Sequence, residues 1–183
     1  MKKSILVFGV ILFLLLIVST ASARKFSIGA FAGLNLPLVQ QDAKSGALFG
    51  AKGRIPLLPF LALEPNFVFA KYAGKDVGVR EKTYPQEGGD ITSFGADLLV
   101  GSMSGMSKVK FYGLTGINFN TYKRKGFSNE TGLGWTLGTG LEFFPTEILS
   151  LEIRARYHAI KVKEGGKIHL EASGGLNYYF GSE

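Results

Sequence analysis

Most of the chain beyond residue 24 alternates apolar and polar residues with a period of two, the spacing of a strand with two unlike faces. From Lys25 to Leu36 one face carries Phe26, Ile28, Ala30, Ala32, Leu34 and Leu36. The other carries Lys25, Ser27, Gly29, Gly33 and Asn35, with Phe31 its only large apolar member. Ala47–Leu57 sets Phe49, Ala51 and Ile55 against Gly50, Lys52 and Arg54. Leu61–Ala73 sets Leu63, Phe67 and Phe69 against Glu64 and Asn66. The pattern returns over Ile91–Gly101, Val109–Thr121, Thr131–Phe144, Leu149–Ile160 and Ile168–Phe180. Eight segments are predicted, with no helical period among them.

The connections also alternate. Those near Pro56, Ser104 and Pro145 are short, while those near Gln40, Arg80, Lys125 and Glu164 are longer and polar, including a loop expected over Ala73–Asp90. Short turns at one end and long loops at the other suit an up-and-down membrane barrel with its N-terminus at the periplasmic rim. A water-soluble barrel would alternate too, so the polar face decides. It is rich in Gly, Ser and Asn and poor in charge, which suits a narrow interior better than a solvated surface. The expected fold is therefore all-β: an eight-stranded antiparallel up-and-down transmembrane barrel.

The first residues set the compartment. Met1-Lys2-Lys3, an apolar run from Ile5 to Val18 and Ala21-Ser22-Ala23 have the three parts of a secretory signal peptide. The run is shorter than the roughly 20 residues a spanning helix needs. A cleaved signal peptide is expected over 1–23 and the barrel domain over 24–183. The absence of cysteine excludes disulfides, thiolate metal sites and a lipid anchor on an N-terminal cysteine. Net charge is +7. In an exported protein that charge favours an anionic surface such as phosphorylated lipopolysaccharide, and nucleic acid is not an expected partner.

The charges on the inferred inner face are Lys52, Arg54, Lys110, Arg154 and Arg156 against Glu64, Asp97, Glu142, Glu152 and Glu171. Five of each sign can pair, as charges shut away from water must. A plugged core of ion pairs is expected, centred on Arg54, Glu64, Glu142, Glu152, Arg154, Arg156 and Glu171. Members beside the Pro145 turn would instead meet water at a rim. Aromatics near strand ends (Phe26, Tyr72, Phe119, Tyr122, Phe143, Phe144, Tyr157, Tyr178 and Phe180) are expected in interfacial girdles. Lys123, Arg124 and Lys125, with Lys161, Lys163 and Lys167, are expected to make the third and fourth outer loops basic. There they would meet lipopolysaccharide phosphate or an acidic host or matrix surface.

Several stretches carry a family likeness across the whole mature chain. They are Leu61-Ala62-Leu63-Glu64-Pro65, Lys110-Phe111-Tyr112-Gly113-Leu114-Thr115-Gly116, Leu151-Glu152-Ile153-Arg154 and Gly174-Gly175-Leu176-Asn177-Tyr178-Tyr179-Phe180. In this order they resemble the small outer-membrane β-barrel superfamily of OmpA- and OmpX-like proteins, also labelled the porin family. The resemblance implies an integral protein of the Gram-negative outer membrane. It also implies a terminal signal at Phe180 read by the barrel-assembly machinery, although Gly181-Ser182-Glu183 follow that residue here.

Chemistry is sparse. His158 and His169 lack HExxH or paired-histidine spacing, so neither a metal nor another cofactor is expected. Lipid A deacylases share the eight-stranded architecture and carry a His-x-Ser pair, but His158 is followed by Ala159-Ile160. Glu171 and Ser173 lie on the next strand without a spacing that fixes a triad. The expected function is non-enzymatic, structural or surface-interacting. A narrow solute channel and a lipid A-modifying enzyme are the alternatives.

Overall fold

The computed structural model describes residues 26–38, 43–74, 77–79, 82–84, 88–101, 108–124, 129–162 and 165–180. The signal segment expected over 1–23 lies outside them. Eight long strands are present: β1 (Phe26–Pro37), β2 (Gly46–Leu58), β3 (Leu61–Gly74), β4 (Gly89–Gly101), β5 (Val109–Arg124), β6 (Glu130–Phe143), β7 (Leu149–Val162) and β8 (Gly165–Phe180). Each pairs antiparallel with the next, and β1 pairs with β8 from Phe26↔Phe180 to Pro37↔His169. That last ladder closes the eight long strands into a barrel, the arrangement by which a sheet satisfies its backbone groups in a bilayer.

The strands run further than the alternation alone predicts. The expected loop over Ala73–Asp90 is shorter, because β3 reaches Gly74, β4 starts at Gly89, and Val77–Val79 pairs with Lys82–Tyr84 between them. A two-residue piece, Ala43–Lys44, adds to the end of β3. The hairpin expected to open at Lys161 stays paired to Val162↔Gly165. Gly165 has φ +130°, a backbone region that residues with a Cβ avoid.

At the opposite end the rim is tied across neighbouring turns. The Gly101 amide donates to the Phe60 carbonyl at 3.0 Å, Phe144 to Lys108 at 2.8 Å and Tyr179 to Ile148 at 2.8 Å. Along β2 and β3 the ladder is interrupted. Pairing skips from Lys52↔Asn66 to Ile55↔Leu63, and the register shifts between Pro56 and Leu58. Pro56 and Pro65 have no N–H to donate, which accounts for both irregularities.

The two faces separate sharply. Ile117 (67 % exposed) and Phe119 (68 %) point outward, whereas Glu64 (0 %), Asp97 (1 %) and Glu142 (1 %) are sealed inside. In a water-soluble barrel this distribution would be reversed.

Candidate functional site in the barrel interior

Most of the described lumen falls into three layers, beside a smaller apolar cluster of Ala62, Leu99, Tyr112 and Leu114 at the short-turn end. Toward that end lies an ionic layer of Lys52, Arg54 and Arg154 with Glu64, Glu142 and Glu152. Arg54 donates to Glu64 from Nε and Nη2 (3.0 and 2.8 Å), to Glu142 from Nη1 (2.6 Å) and to Glu152 from Nη2 (2.8 Å). Arg154 Nη2 lies 2.6 Å from Glu64 and 2.9 Å from Glu152, and Lys52 Nζ lies 2.5 Å from Glu152. Neutral donors complete the carboxylates: Tyr179 Oη and Asn177 Nδ2 reach Glu142 at 2.6 and 2.8 Å, and the Ser150 hydroxyl also donates to it. Tyr112 gives both guanidinium groups an aromatic face, 5.2 Å from Arg54 and 5.6 Å from Arg154.

The second layer is mixed. Arg156 donates to Glu171 from Nε (2.8 Å) and Nη2 (2.6 Å), and to Asp97 from Nη1 (3.1 Å). Asp97 also accepts from Thr136 Oγ1 at 2.7 Å and Asn66 Nδ2 at 3.0 Å. His158 lies in register with His169 and Thr136, with its Nδ1 3.0 Å from Glu171 and its Nε2 2.8 Å from Asn118 Oδ1. Glu171 and Asn118, rather than a serine, hold the His158 ring. Among the described residues no group of three His, Cys, Asp or Glu side chains is arranged to hold a metal ion.

The third layer, toward the long connections, is apolar: Phe31, Leu48, Val68, Ala70, Tyr72, Ile91, Tyr122 and Ile160 pack together. Two expected girdle members belong here. Tyr72 and Tyr122 face inward and stack at 5.2 Å, because each shares the strand phase of inner residues, Asn66 for Tyr72 and Asn120 for Tyr122. Phe31 falls on the same inner phase. Glycine makes room for these rings. Phe31 is flanked in register by Gly50 and Gly175, and Tyr112 by Gly101 and Gly140. A Cβ on Gly140 would sit 2.2 Å from Tyr112 Oη, and one on Gly50 2.5 Å from the Phe31 ring.

All seven residues expected in the ion-pair core, together with Lys52 and Asp97, meet inside the barrel. Lys110 does not join them; it is half-buried at the turn end, with Nζ 4.6 Å from the Phe144 ring centroid. The alternation places Asn118 and Asn120 on the polar face of their strand, but the apolar layer and the polar partners Tyr112 and Tyr179 were not expected inside. Strand phase was the available signal, since all of them alternate in step with the charges.

Outside, Phe26 stacks on Phe180 at 5.7 Å, and Tyr178 meets Phe180 edge-on at 4.8 Å. Trp135 donates from Nε1 to Thr115 Oγ1 at 3.2 Å, and that hydroxyl in turn donates to the Thr136 carbonyl at 3.1 Å. Polar groups facing hydrocarbon are thereby satisfied within the protein. The basic residues expected in loops are placed differently. Lys123 and Arg124 end β5, Lys161 belongs to β7 and Lys167 to β8, since strand pairing continues into the expected loops. Lys167 leans into the mouth, 5.0 Å from the Tyr122 ring centroid. Lys125 and Lys163 lie outside the described residues.

A closed eight-stranded barrel, apolar outside and ionic within, defines an integral β-barrel of the Gram-negative outer membrane. The chain belongs to the outer membrane protein beta-barrel domain family, whose profile matches residues 8–180. Solved structures share the fold. Neisserial surface protein A is 20 % identical with a TM-score of 0.68, over 85 % of this chain and 97 % of that one. OprG of Pseudomonas aeruginosa is 18 % identical with a TM-score of 0.58 (87 % and 97 % covered). The N-terminal barrel domain of OprF from the same organism is 16 % identical with a TM-score of 0.57 (86 % and 98 %). No curated protein sequence matches the chain.

Proposed function

We propose that this protein is a closed, non-enzymatic barrel that acts through its outer surface, in a structural or surface-interaction role, and not as a solute channel. The carrying observation is the filled lumen: an ionic layer, a mixed layer and an apolar layer lie in series along the axis. An eight-stranded barrel leaves an interior just wide enough for side chains, so each layer is a barrier. Planar-bilayer recording of the purified protein tests this. A silent bilayer is expected, and steady nanosiemens openings would overturn it in favour of a narrow channel.

A lipid A-modifying activity is disfavoured by the engagement of His158 with Glu171 and Asn118 inside the barrel. Unchanged lipid A acyl composition after incubation supports the non-enzymatic reading, and deacylation would reject it.

At the outer end, Lys71 and Lys123 flank Asp90 on one outward face, and Lys161 is exposed on β7. These cations suit lipopolysaccharide phosphates or an acidic host or matrix surface. Replacing all three with Gln should weaken binding to lipopolysaccharide and remove its salt sensitivity; unaltered binding would reject the assignment. Residues 1–23 serve as the cleaved export signal in this reading, and mass spectrometry of the mature N-terminus checks that. Phe180 serves as the contact for the barrel-assembly machinery. Loss of membrane insertion in Phe180→Ala, with its chain still exported, is the expected outcome.

A further inference from the structure

The buried charges divide unevenly between the two polar layers. In the lower layer three cations, Lys52, Arg54 and Arg154, meet three carboxylates, Glu64, Glu142 and Glu152. In the upper layer a single guanidinium, Arg156, bridges two, Asp97 and Glu171. Arg154 reaches Asp97 only at 3.8 Å. The upper layer is therefore one positive charge short, and the deficit lies against His158.

Hydrogen-bond accounting around that ring gives the same answer independently. Glu171 accepts two bonds from Arg156 on Oε2 and presents Oε1 to His158 Nδ1, so it is ionised and Nδ1 must donate. On the other side, Asn120 Nδ2 lies near two backbone carbonyls, Asn118 O at 3.4 Å and Gly132 O at 3.5 Å, which fixes the orientation of its amide. That nitrogen donates to Asn118 at 2.7 Å, and the atom receiving it must be Oδ1. His158 Nε2 faces the same oxygen at 2.8 Å and must donate as well. Neutral imidazole has only one N–H.

We infer that His158 is a doubly protonated imidazolium, the missing cation of the upper layer, and that it makes the seal across the barrel dependent on a buried proton. The groups facing it are Asn118 from β5, Thr136 from β6, and His169 and Glu171 from β8. Arg156 stands below it on β7, linked to Asp97 of β4, and Lys167 stands above beside Tyr122. His169 does not supply the charge: it is buried, and neither of its ring nitrogens reaches a carboxylate or any other hydrogen-bond partner. Removing the proton from His158 would set a bare nitrogen lone pair against an oxygen acceptor.

The test is nitrogen NMR of histidine-labelled protein in detergent micelles at neutral pH. Both His158 ring nitrogens should resonate in the protonated range, while His169 shows one protonated and one bare nitrogen. A bare nitrogen on His158 would overturn the proposal, as would a shift of its resonances on treatment with a chelator, which would mark a bound metal. In Glu171→Gln, His158 should revert to one N–H. Should that variant not fold, the wild-type spectrum decides alone.

Discussion

Arg54 of β2 and Glu64 of β3 pair side chain to side chain where the backbone between their strands does not. The β2–β3 ladder omits Gly53 and Arg54 opposite Glu64 and Pro65, and the guanidinium closes that interval with two bonds to Glu64 Oε2 at 2.8 and 3.0 Å. The imino nitrogen of Pro65 removes a donor from the ladder, and an ion pair takes over the cross-strand link. The same guanidinium extends to Glu142 and Glu152, so a local repair also anchors the lower lumen.

Removing Arg54 should therefore cost more than a surface ion pair. Arg54→Ala leaves three buried carboxylates short of a partner, and breaking one buried pair costs about 3–5 kcal/mol. Equilibrium urea unfolding in micelles should register a loss of that order. The double variant Arg54→Met with Glu64→Gln should recover part of it.

Gly140 and Tyr112 form a second coupled pair. Gly140→Ala places a methyl 2.2 Å from Tyr112 Oη and 2.3 Å from its Cζ. Overpacking of this kind costs about 1–3 kcal/mol. Adding Tyr112→Leu should restore the heat-modified mobility that Gly140→Ala reduces, whereas Tyr112→Leu alone should destabilise by loss of the face stacked against Arg54 and Arg154.

Depth in the bilayer should grade the cost of a charge on the outer face. Leu137, half-way along β6 and 50 % exposed, is set for the hydrocarbon centre, and Leu137→Arg should cost about 2–4 kcal/mol. Thr131→Arg, near the outer end of the same strand and on the same face, should cost no more than about 1 kcal/mol. Equal penalties at both positions in reversible lipid refolding would contradict this orientation.

Trp135 is the chain's single tryptophan and lies on the outer face beside Tyr157. Its emission should be blue-shifted and quenched by lipids brominated on their acyl chains, with little effect from aqueous iodide. Thr115→Val removes the acceptor of its indole N–H and should alter the emission while the barrel stays folded. Iodide quenching stronger than bromolipid quenching would place the tryptophan in water.

Strand number, antiparallel order and the assignment of faces were legible because side-chain direction alternates with a period of two whatever the partner strand. Charge content made an internal ion-pair core foreseeable for the same reason: Arg54, Glu64, Arg154 and Glu171 share one phase. Strand phase in the chain therefore determined which side chains point inward, and Tyr72 and Tyr122 were expected outside only because residue type was read ahead of phase. Which of them meet was decided only by closure of β1 onto β8 and by the register of each ladder. That closure set Arg54 among Glu64, Glu142 and Glu152, at sequence separations of 10, 88 and 98. It also sorted the inward residues by height, gathering Phe31, Tyr72, Tyr122 and Ile160 into an apolar layer above the charges. Height along the axis follows from strand register, a long-range property that no local alternation encodes.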